Sequence, residues 1–201
     1  MIKRYKENEI DELVNVLKNN GVISVPTDTV YGLCAMINSQ EGYKKLIEIK
    51  NRPENKAFPI MCANEKQIES IAVVDQKVKN IINVFMPGPI TLVLKKKSNL
   101  PDYVTNGKDT IAVRMATSRV LKGLIEKLGS PVFMTSANQS GKSTCKNLDE
   151  IEKTCPDLDG MLEGNTIFGE ASTIVDCTLD EIKILREGPI KLEEVKKVIL
   201  K

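Results

Sequence analysis

Polar segments rich in hydroxyl groups and cations are where this chain of 201 residues could do chemistry. The segment 50–56 carries Lys and Arg at three of its seven positions, and such cations can clamp a polyphosphate. Residues 135–141 bring hydroxyls, an amide and a glycine to the end of an apolar run, where α/β sheets bind ligands. Threonines within 26–33, and the segments 170–176 and 184–189, add more hydroxyls and an arginine.

Each of these segments also has a purely structural interpretation. Taken alone, 26–33 is best interpreted as a turn after a strand, and 135–141 is equally typical of a helix N-cap. The cations of 50–56 follow a predicted helix, whose dipole they complement equally well. The pattern GKS at 141–143 resembles the end of a P-loop, but Ser136 stands where that motif requires glycine. A Walker NTPase site is therefore excluded.

The composition excludes several classes of chemistry. The chain contains no histidine, so Ser-His-Asp catalysis, Cys-His catalysis and His-ligated zinc are ruled out. Its five cysteines include no CxxC pair, which argues against a zinc site or a disulfide framework. A net charge of +2, with four Tyr, four Phe and no Trp, does not predict a broad basic, aromatic surface that would bind nucleic acid. Without a signal peptide or a membrane-length apolar run, we expect a reduced, cytoplasmic protein.

Helical and strand-like patterns alternate along the chain, which predicts an α/β fold with a mixed sheet. Apolar spacing predicts helices that begin at Ser39, Asn64 and Asp75, and another that ends at Gly129. Strands are expected at 22–25, 58–62, 90–94, 110–115, 131–135, 172–177 and 181–185. Neighbouring strands near 90–115 and 172–185 lack an intervening predicted helix, which argues against a purely parallel sheet. No linker divides the chain, so one domain over residues 1–201 is expected.

Seven motifs in this order resemble the YrdC-like family, the threonylcarbamoyl-AMP synthases that serve the t6A modification of tRNA. They are PTDTVYGL at 26–33, KNRP at 50–53, PGPITLVL at 87–94, IAVRM at 111–115, TSANQSG at 135–141, ASTIVD at 171–176 and ILREG at 184–188. Any one of them could occur by chance, whereas seven in sequence order are specific. The resemblance covers nearly the whole chain, from about residue 21 to residue 188.

The resemblance implies a twisted, open α/β sheet with a concave, positively lined cavity. It implies that L-threonine, bicarbonate and ATP are joined into threonylcarbamoyl-AMP with release of pyrophosphate. The positions that match the family's ATP-binding residues are Lys50, Arg52, Lys56, Thr91, Ser136, Asn138, Thr144 and Arg186. Of these, Lys50 and Arg52 are the expected catalytic residues. The positions that match its threonine site are Thr29, Cys62, Arg114 and Ser172.

The implied cofactors and partners are few. Mg²⁺ is expected to arrive with ATP, and no tightly bound cofactor, protein metal site or membrane contact is expected. The downstream t6A transferase complex and tRNA are implied partners, either directly or through the released intermediate. Because nucleotidyl transfer needs positioning and charge neutralisation more than covalent help, no protein general base is expected.

The sequence departs from the longer family members in two ways. Those members commonly carry a histidine at the position of Cys62 and have an extra C-terminal domain, whereas a helix is predicted after Pro189, as in the short, single-domain branch. A structural or adaptor domain would leave the ordered hydroxyl and cation motifs unexplained, and two further alternatives are open. One alternative is a paralogue that keeps this fold but binds structured RNA without synthase activity. The other is the carbamoyl-adenylating domain of hydrogenase maturation factors, whose zinc-finger and acylphosphatase modules have no counterpart in this sequence.

Overall fold

The structure is a computed structural model that describes residues 1–53, 56–166 and 171–199. The strands are β1 (Arg4–Tyr5), β2 (Ile23–Pro26), β3 (Tyr31–Met36), β4 (Ile60–Cys62), β5 (Ile90–Lys95), β6 (Thr110–Met115), β7 (Val132–Ser136), β8 (Gly160–Leu162), β9 (Thr173–Asp176) and β10 (Lys183–Arg186). The helices are α1 (Ile10–Lys18), α2 (Gln40–Lys50), α3 (Glu65–Ile71), α4 (Gln76–Phe85), α5 (Asp102–Thr105), α6 (Arg119–Leu128), α7 (Leu148–Thr154) and α8 (Leu192–Ile199). Glu54, Asn55 and Glu170, which belong to the predicted polar segments, lie outside the described residues.

The described strands form one ten-stranded sheet in the order β1-β8-β2-β3-β7-β4-β6-β5-β9-β10. Four neighbouring pairs are parallel, namely β1 with β8, β8 with β2, β4 with β6, and β5 with β9. The others, among them β5 with β6 and β9 with β10, are antiparallel. The predicted mixed α/β sheet is therefore confirmed. The expectation that 90–115 contains no helix was wrong, because the short helix α5 separates β5 from β6.

The predicted helix boundaries correspond to real caps. The side chains of Ser39, Asn64 and Asp75 each accept a backbone N–H in the first turn of α2, α3 and α4. Helix α6 ends at Gly129, whose φ of 71° is the left-handed conformation that glycine adopts without strain. These local interactions explain why the helix boundaries could be found from sequence alone.

Helices cover both faces of the sheet, but unequally. One apolar cluster joins the sheet to α2, α3, α4, α7 and α8, through residues such as Leu46, Ile82 and Val195. The second cluster joins α1 and α6 to the opposite face and contains Met61 and Met134. Both methionines also line a large cavity, so the cavity begins beside this second cluster. The helices that cover this face thus leave space for a site next to them.

The strands beside the cavity alternate between its wall and the core. Thr91 of β5 pairs with Ile174 of β9, and both line the cavity. The next pair, Leu92 with Val175, belongs to the first apolar cluster. This period of two lets one strand contribute to the core and to the site at once. Among the described helices, none is both long and apolar enough to cross a bilayer.

Gly188 marks a close approach between two backbones and gives a stability prediction. A Cβ at this position would lie 2.5 Å from the Thr173 amide nitrogen and 2.7 Å from the Ala171 carbonyl oxygen. Since backbone atoms cannot rotate away, we expect Gly188→Ala to lower the free energy of unfolding by about 1–3 kcal/mol in urea titrations. Gly123→Ala is the matched control: its new Cβ meets nothing within 4 Å inside α6, and it should stabilise by about 0.5–1 kcal/mol. Equal stability of Gly188→Ala and the unmodified protein would contradict this packing.

Candidate active site

A cavity of about 840 Å³ gathers most of the predicted site residues. Those that line it are Thr29, Arg52, Lys56, Thr91, Arg114, Ser136, Thr144, Ser172 and Arg186. They come from the β2–β3 connection, from the segment before β4, and from or beside β5, β6, β7, β9 and β10. The other three predicted residues, Lys50, Asn138 and Cys62, are not part of the lining. The size of the cavity is within the usual range for small-molecule sites.

Arg114 of β6 is the most buried arginine of the cavity, with 7% of its surface exposed. Its Nη2 donates to Asp28 Oδ1 at 2.5 Å, its Nη1 to Thr29 Oγ1 at 3.2 Å, and its Nε to the Gly88 carbonyl at 3.1 Å. Burial lowers the pKa of Arg114, and the Asp28 carboxylate opposes this shift. A guanidinium has five N–H donors, so two remain for a ligand. Two such donors suit a carboxylate.

The segment that supplies Asp28 and Thr29 is a connection between two strands. Thr27 organises it: its hydroxyl donates to the Val30 carbonyl at 2.6 Å and accepts the amides of Thr29 and Val30 at 3.2 Å. Hydroxyl-to-backbone bonds of this kind are typical of turns. The interpretation of 26–33 as a turn therefore holds for its first half, whereas β3 begins at Tyr31 and was not predicted.

Arg186 of β10 and Thr91 of β5 meet at Ser172. The Arg186 side chain donates to the Ser172 carbonyl through Nε at 3.0 Å and Nη2 at 2.7 Å, and Nη2 also reaches Ser172 Oγ at 3.1 Å. The Thr91 and Ser172 hydroxyls lie 2.9 Å apart. Desolvation lowers the pKa of Arg186. This arrangement joins the expected ATP-binding and threonine-binding residues in one hydrogen-bonded group.

Arg52 fixes the path of the chain that enters β4. Its Nε donates to the Lys56 carbonyl and its Nη2 to the Ala57 carbonyl, both at 2.8 Å. Its guanidinium also lies over the Phe58 ring, 4.5 Å from the ring centre. Burial lowers the pKa of Arg52. Arg52 and Lys56 both line the cavity, so they place two positive charges at this end of it.

Lys50 lies behind the cavity wall. It is 2% exposed, and its Nζ donates to the Ser136 carbonyl at 2.6 Å and to Asn138 Oδ1 at 2.8 Å. Asn138 Oδ1 also accepts the Ser136 hydroxyl at 2.6 Å. Of these three residues only Ser136 lines the cavity. In this structure Lys50 and Asn138 therefore act on the cavity through Ser136, and direct contact of either with ATP stays a prediction.

Cys62 does not support the threonine contact expected at its position. Its side chain is fully buried in the first apolar cluster and takes no part in the cavity lining. Burial raises the pKa of its thiol, so the sulfur is held as a neutral, apolar group. Its strand neighbour Met61 lines the cavity instead, as the alternation of side chains along a strand requires.

Three charged residues near the site were not singled out from the sequence. Asp28 is 5% exposed and pairs with Arg114, while Asp176 and Lys108 line the cavity. Asp28 lies between two threonines in the motif at 26–33, and Asp176 ends the motif at 171–176. Their places in these motifs could have identified both as candidate site residues. Among the residues that the structure describes, no group of three or more Cys, Asp and Glu side chains could hold a metal ion.

Comparison with known proteins places this site in a family. The family model Sua5_yciO_yrdC, described as "Telomere recombination", matches residues 15–188. The chain belongs to the Sua5/YciO/YrdC family. The motifs that carry the resemblance therefore lie in a domain of that family.

Individual members of the Sua5/YciO/YrdC family match over nearly all of this chain. It is 33% identical to the putative threonylcarbamoyl-AMP synthase of Methanocaldococcus jannaschii, over 97% of this chain and 96% of that protein. It is 34% identical to the threonylcarbamoyl-AMP synthase of Pyrococcus abyssi, over 98% of this chain but only 59% of that protein. A crystal structure of P. abyssi Sua5 complexed with L-threonine superposes with a TM-score of 0.92, at 32% identity, over 99% of this chain and 61% of that one.

The buried amine of Lys50 gives a prediction about pH. Burial, with a smaller effect of Arg52, lowers the pKa of Lys50 from 10.5 to about 8. Between these two values the unfolded chain binds more protons than the folded one, so this residue makes stability rise with pH. Relative to Lys50→Met, the free energy of unfolding of the unmodified protein should rise by roughly 2–3 kcal/mol between pH 7 and 10.

Urea titrations at both pH values, under reducing conditions, measure this difference. Lys122→Met, which removes a half-exposed lysine of α6, is the control, and its difference from the unmodified protein should be small at both pH values. If Lys50→Met and Lys122→Met respond alike to pH, the Lys50 amine does not titrate in a buried site.

Proposed function

We propose that this chain is an L-threonylcarbamoyladenylate synthase, a nucleotidyltransferase that uses L-threonine, bicarbonate and ATP. The observation that carries this proposal is the cavity of about 840 Å³, in which Arg52, Lys56, Arg114 and Arg186 are brought together with threonine and serine hydroxyls. Polyanionic and carboxylate substrates both need such groups. The names of the P. abyssi and M. jannaschii relatives, and the threonine complex of the former, support the same reaction.

The amino-acid end of the site would be formed around Arg114. Its two remaining N–H donors suit the threonine carboxylate, while Thr29 and Ser172 offer hydroxyls beside it. The pairing with Asp28 and the Gly88 carbonyl holds the guanidinium in one orientation before the substrate arrives. Such preorganisation lowers the entropic cost of binding. In this assignment Cys62 has no contact with threonine.

The triphosphate end would be formed by the remaining cations. Arg52, Lys56 and Arg186 supply positive charge, and Thr91, Ser136 and Thr144 supply hydroxyl groups. Lys50 and Asn138 keep Ser136 in place from behind the wall. These groups neutralise the charge that develops on the leaving pyrophosphate. Mg²⁺ would arrive bound to the triphosphate and would neutralise part of its charge.

The reaction then needs positioning more than proton transfer by the protein. The neutral threonine amine attacks the carbon of bicarbonate, and loss of water gives the carbamate. A carbamate oxygen attacks the α-phosphorus of ATP, the bond from that phosphorus to the bridging oxygen breaks, and pyrophosphate leaves. Cations that stabilise this leaving group can lower the barrier without a histidine. The product would serve the t6A transferase and tRNA in the cytoplasm, directly or after release.

The first test is formation of the product. With ATP, Mg²⁺, L-threonine and bicarbonate, we expect threonylcarbamoyl-AMP and pyrophosphate, detected by mass spectrometry, and neither product when any one of the three substrates is omitted. Absence of product under all conditions contradicts the proposal. Salt-sensitive binding of structured RNA without ATP turnover would identify the alternative, an RNA-binding paralogue.

The second test removes one cation of the triphosphate end. Arg52→Ala should lower kcat/KM for ATP by about 100-fold, since a charge-assisted bond to the leaving group is worth about 3 kcal/mol. The threonine dissociation constant should change far less. Arg119→Ala, which removes an exposed arginine of α6, should leave both quantities unchanged. Pyrophosphate release by Arg52→Ala at the unmodified rate would show that Arg52 does not hold the phosphates.

A further inference from the structure

The arginines of the cavity differ in whether a negatively charged partner compensates their charge. Arg52 and Arg186 donate to backbone carbonyls and to a hydroxyl, which leave the positive charge in place. Arg114 alone among the described cavity cations pairs with a carboxylate, that of Asp28. Arg186 lies close enough to Arg114 to add to the lowering of its pKa, so cations with and without a carboxylate partner are neighbours.

Asp28 is placed for this one pairing. It is 5% exposed, and Arg114 is the side chain that binds its Oδ1. Its Oδ2 is buried and has no hydrogen-bond partner in the part of the chain that the structure describes. A buried acceptor without a partner costs stability, about 1–3 kcal/mol. The carboxylate compensates the charge of the buried Arg114 guanidinium, and a neutral residue here would leave that charge unpaired.

The same pairing can also sort the substrates of the cavity by their charge. The proposed reaction uses one polyanion, the triphosphate, and one amino acid with a single carboxylate, in neighbouring parts of the same cavity. A bare Arg114 in a poorly screened site would attract the polyanion more strongly than the monocarboxylate. With Asp28 beside it, the pair has no net charge, yet Arg114 keeps two N–H donors for a carboxylate. Phosphate groups near the pair would be repelled by Asp28.

We propose that Asp28 is a specificity-determining residue: its carboxylate, by neutralising Arg114, reserves the Arg114 subsite for a monocarboxylate and excludes phosphate groups from it. Asp28 does this as a positioning and charge-compensating residue, since it does not itself line the cavity. The inference rests on the proposed function, because it presumes that threonine binds at Arg114.

The test is a competition measured by calorimetry, with inorganic tripolyphosphate as the probe. In the unmodified protein, saturating tripolyphosphate should change the threonine dissociation constant by less than about threefold, because the two ligands occupy different subsites. Acetate, a monocarboxylate, should displace threonine. In Asp28→Asn, which keeps the side-chain size and an oxygen for Arg114, tripolyphosphate should weaken threonine binding by at least about tenfold. Asp11→Asn, an exposed carboxylate of α1, is the control and should behave as the unmodified protein.

The outcomes separate this inference from the proposed function. If the unmodified protein makes threonylcarbamoyl-AMP but tripolyphosphate competes no better with threonine in Asp28→Asn, charge sorting by Asp28 is overturned and the synthase function stands. If the unmodified protein neither binds threonine nor makes product, the function itself fails. If Asp28→Asn does not fold, the competition in the unmodified protein is the test. Displacement of threonine from that protein by tripolyphosphate overturns the proposal. Displacement by acetate but not by tripolyphosphate supports it.

Discussion

The site depends on holding several positive charges close together without cancelling them. Three cations meet this requirement in the same way, by donating to a backbone carbonyl: Lys50 to Ser136, Arg52 to Lys56 and Ala57, and Arg186 to Ser172. Arg114 also donates to a carbonyl, that of Gly88, but its charge is paired with Asp28. A carbonyl oxygen orients a guanidinium or ammonium through its dipole and leaves the net charge intact. The same hydrogen bonds also stabilise irregular segments between strands, such as the one that Arg52 binds before β4. The position of the cation therefore depends on the path of that segment, and the path depends on the cation.

The mixed sheet explains why the site lies where it does. Parallel and antiparallel neighbours bring both ends of different strands to the cavity: Ser136 is the last residue of β7, whereas Ser172 directly precedes β9. On β5 the side chains alternate between the core and the cavity, so Leu92 packs inward while Thr91 faces the site. The apolar clusters therefore stabilise the same backbone that carries the polar groups.

The sequence alone predicted the elements that depend on local interactions. Caps such as Ser39 and Asp75 were found because their hydrogen bonds lie within four residues. Strand β3 was missed because its apolar run follows a polar turn directly, and β1 and β8 are too short to show a period. Their positions are set by pairing with distant strands, which no local pattern encodes.

Within the site, the residue types were predictable but the depth of each side chain was not. Motif matching cannot tell that Lys50 lies behind Ser136, or that Cys62 faces the core while Met61 faces the cavity.

The burial of each charged side chain also determines how the site responds to pH. An arginine stays protonated at any physiological pH, and the chain has no histidine. Burial lowers the pKa of Lys50 to about 8, so this amine can change its protonation near neutral pH. Because its amine binds Ser136 and Asn138 from outside the cavity, loss of that proton would remove a charge behind the wall while the charges that face the substrates remain.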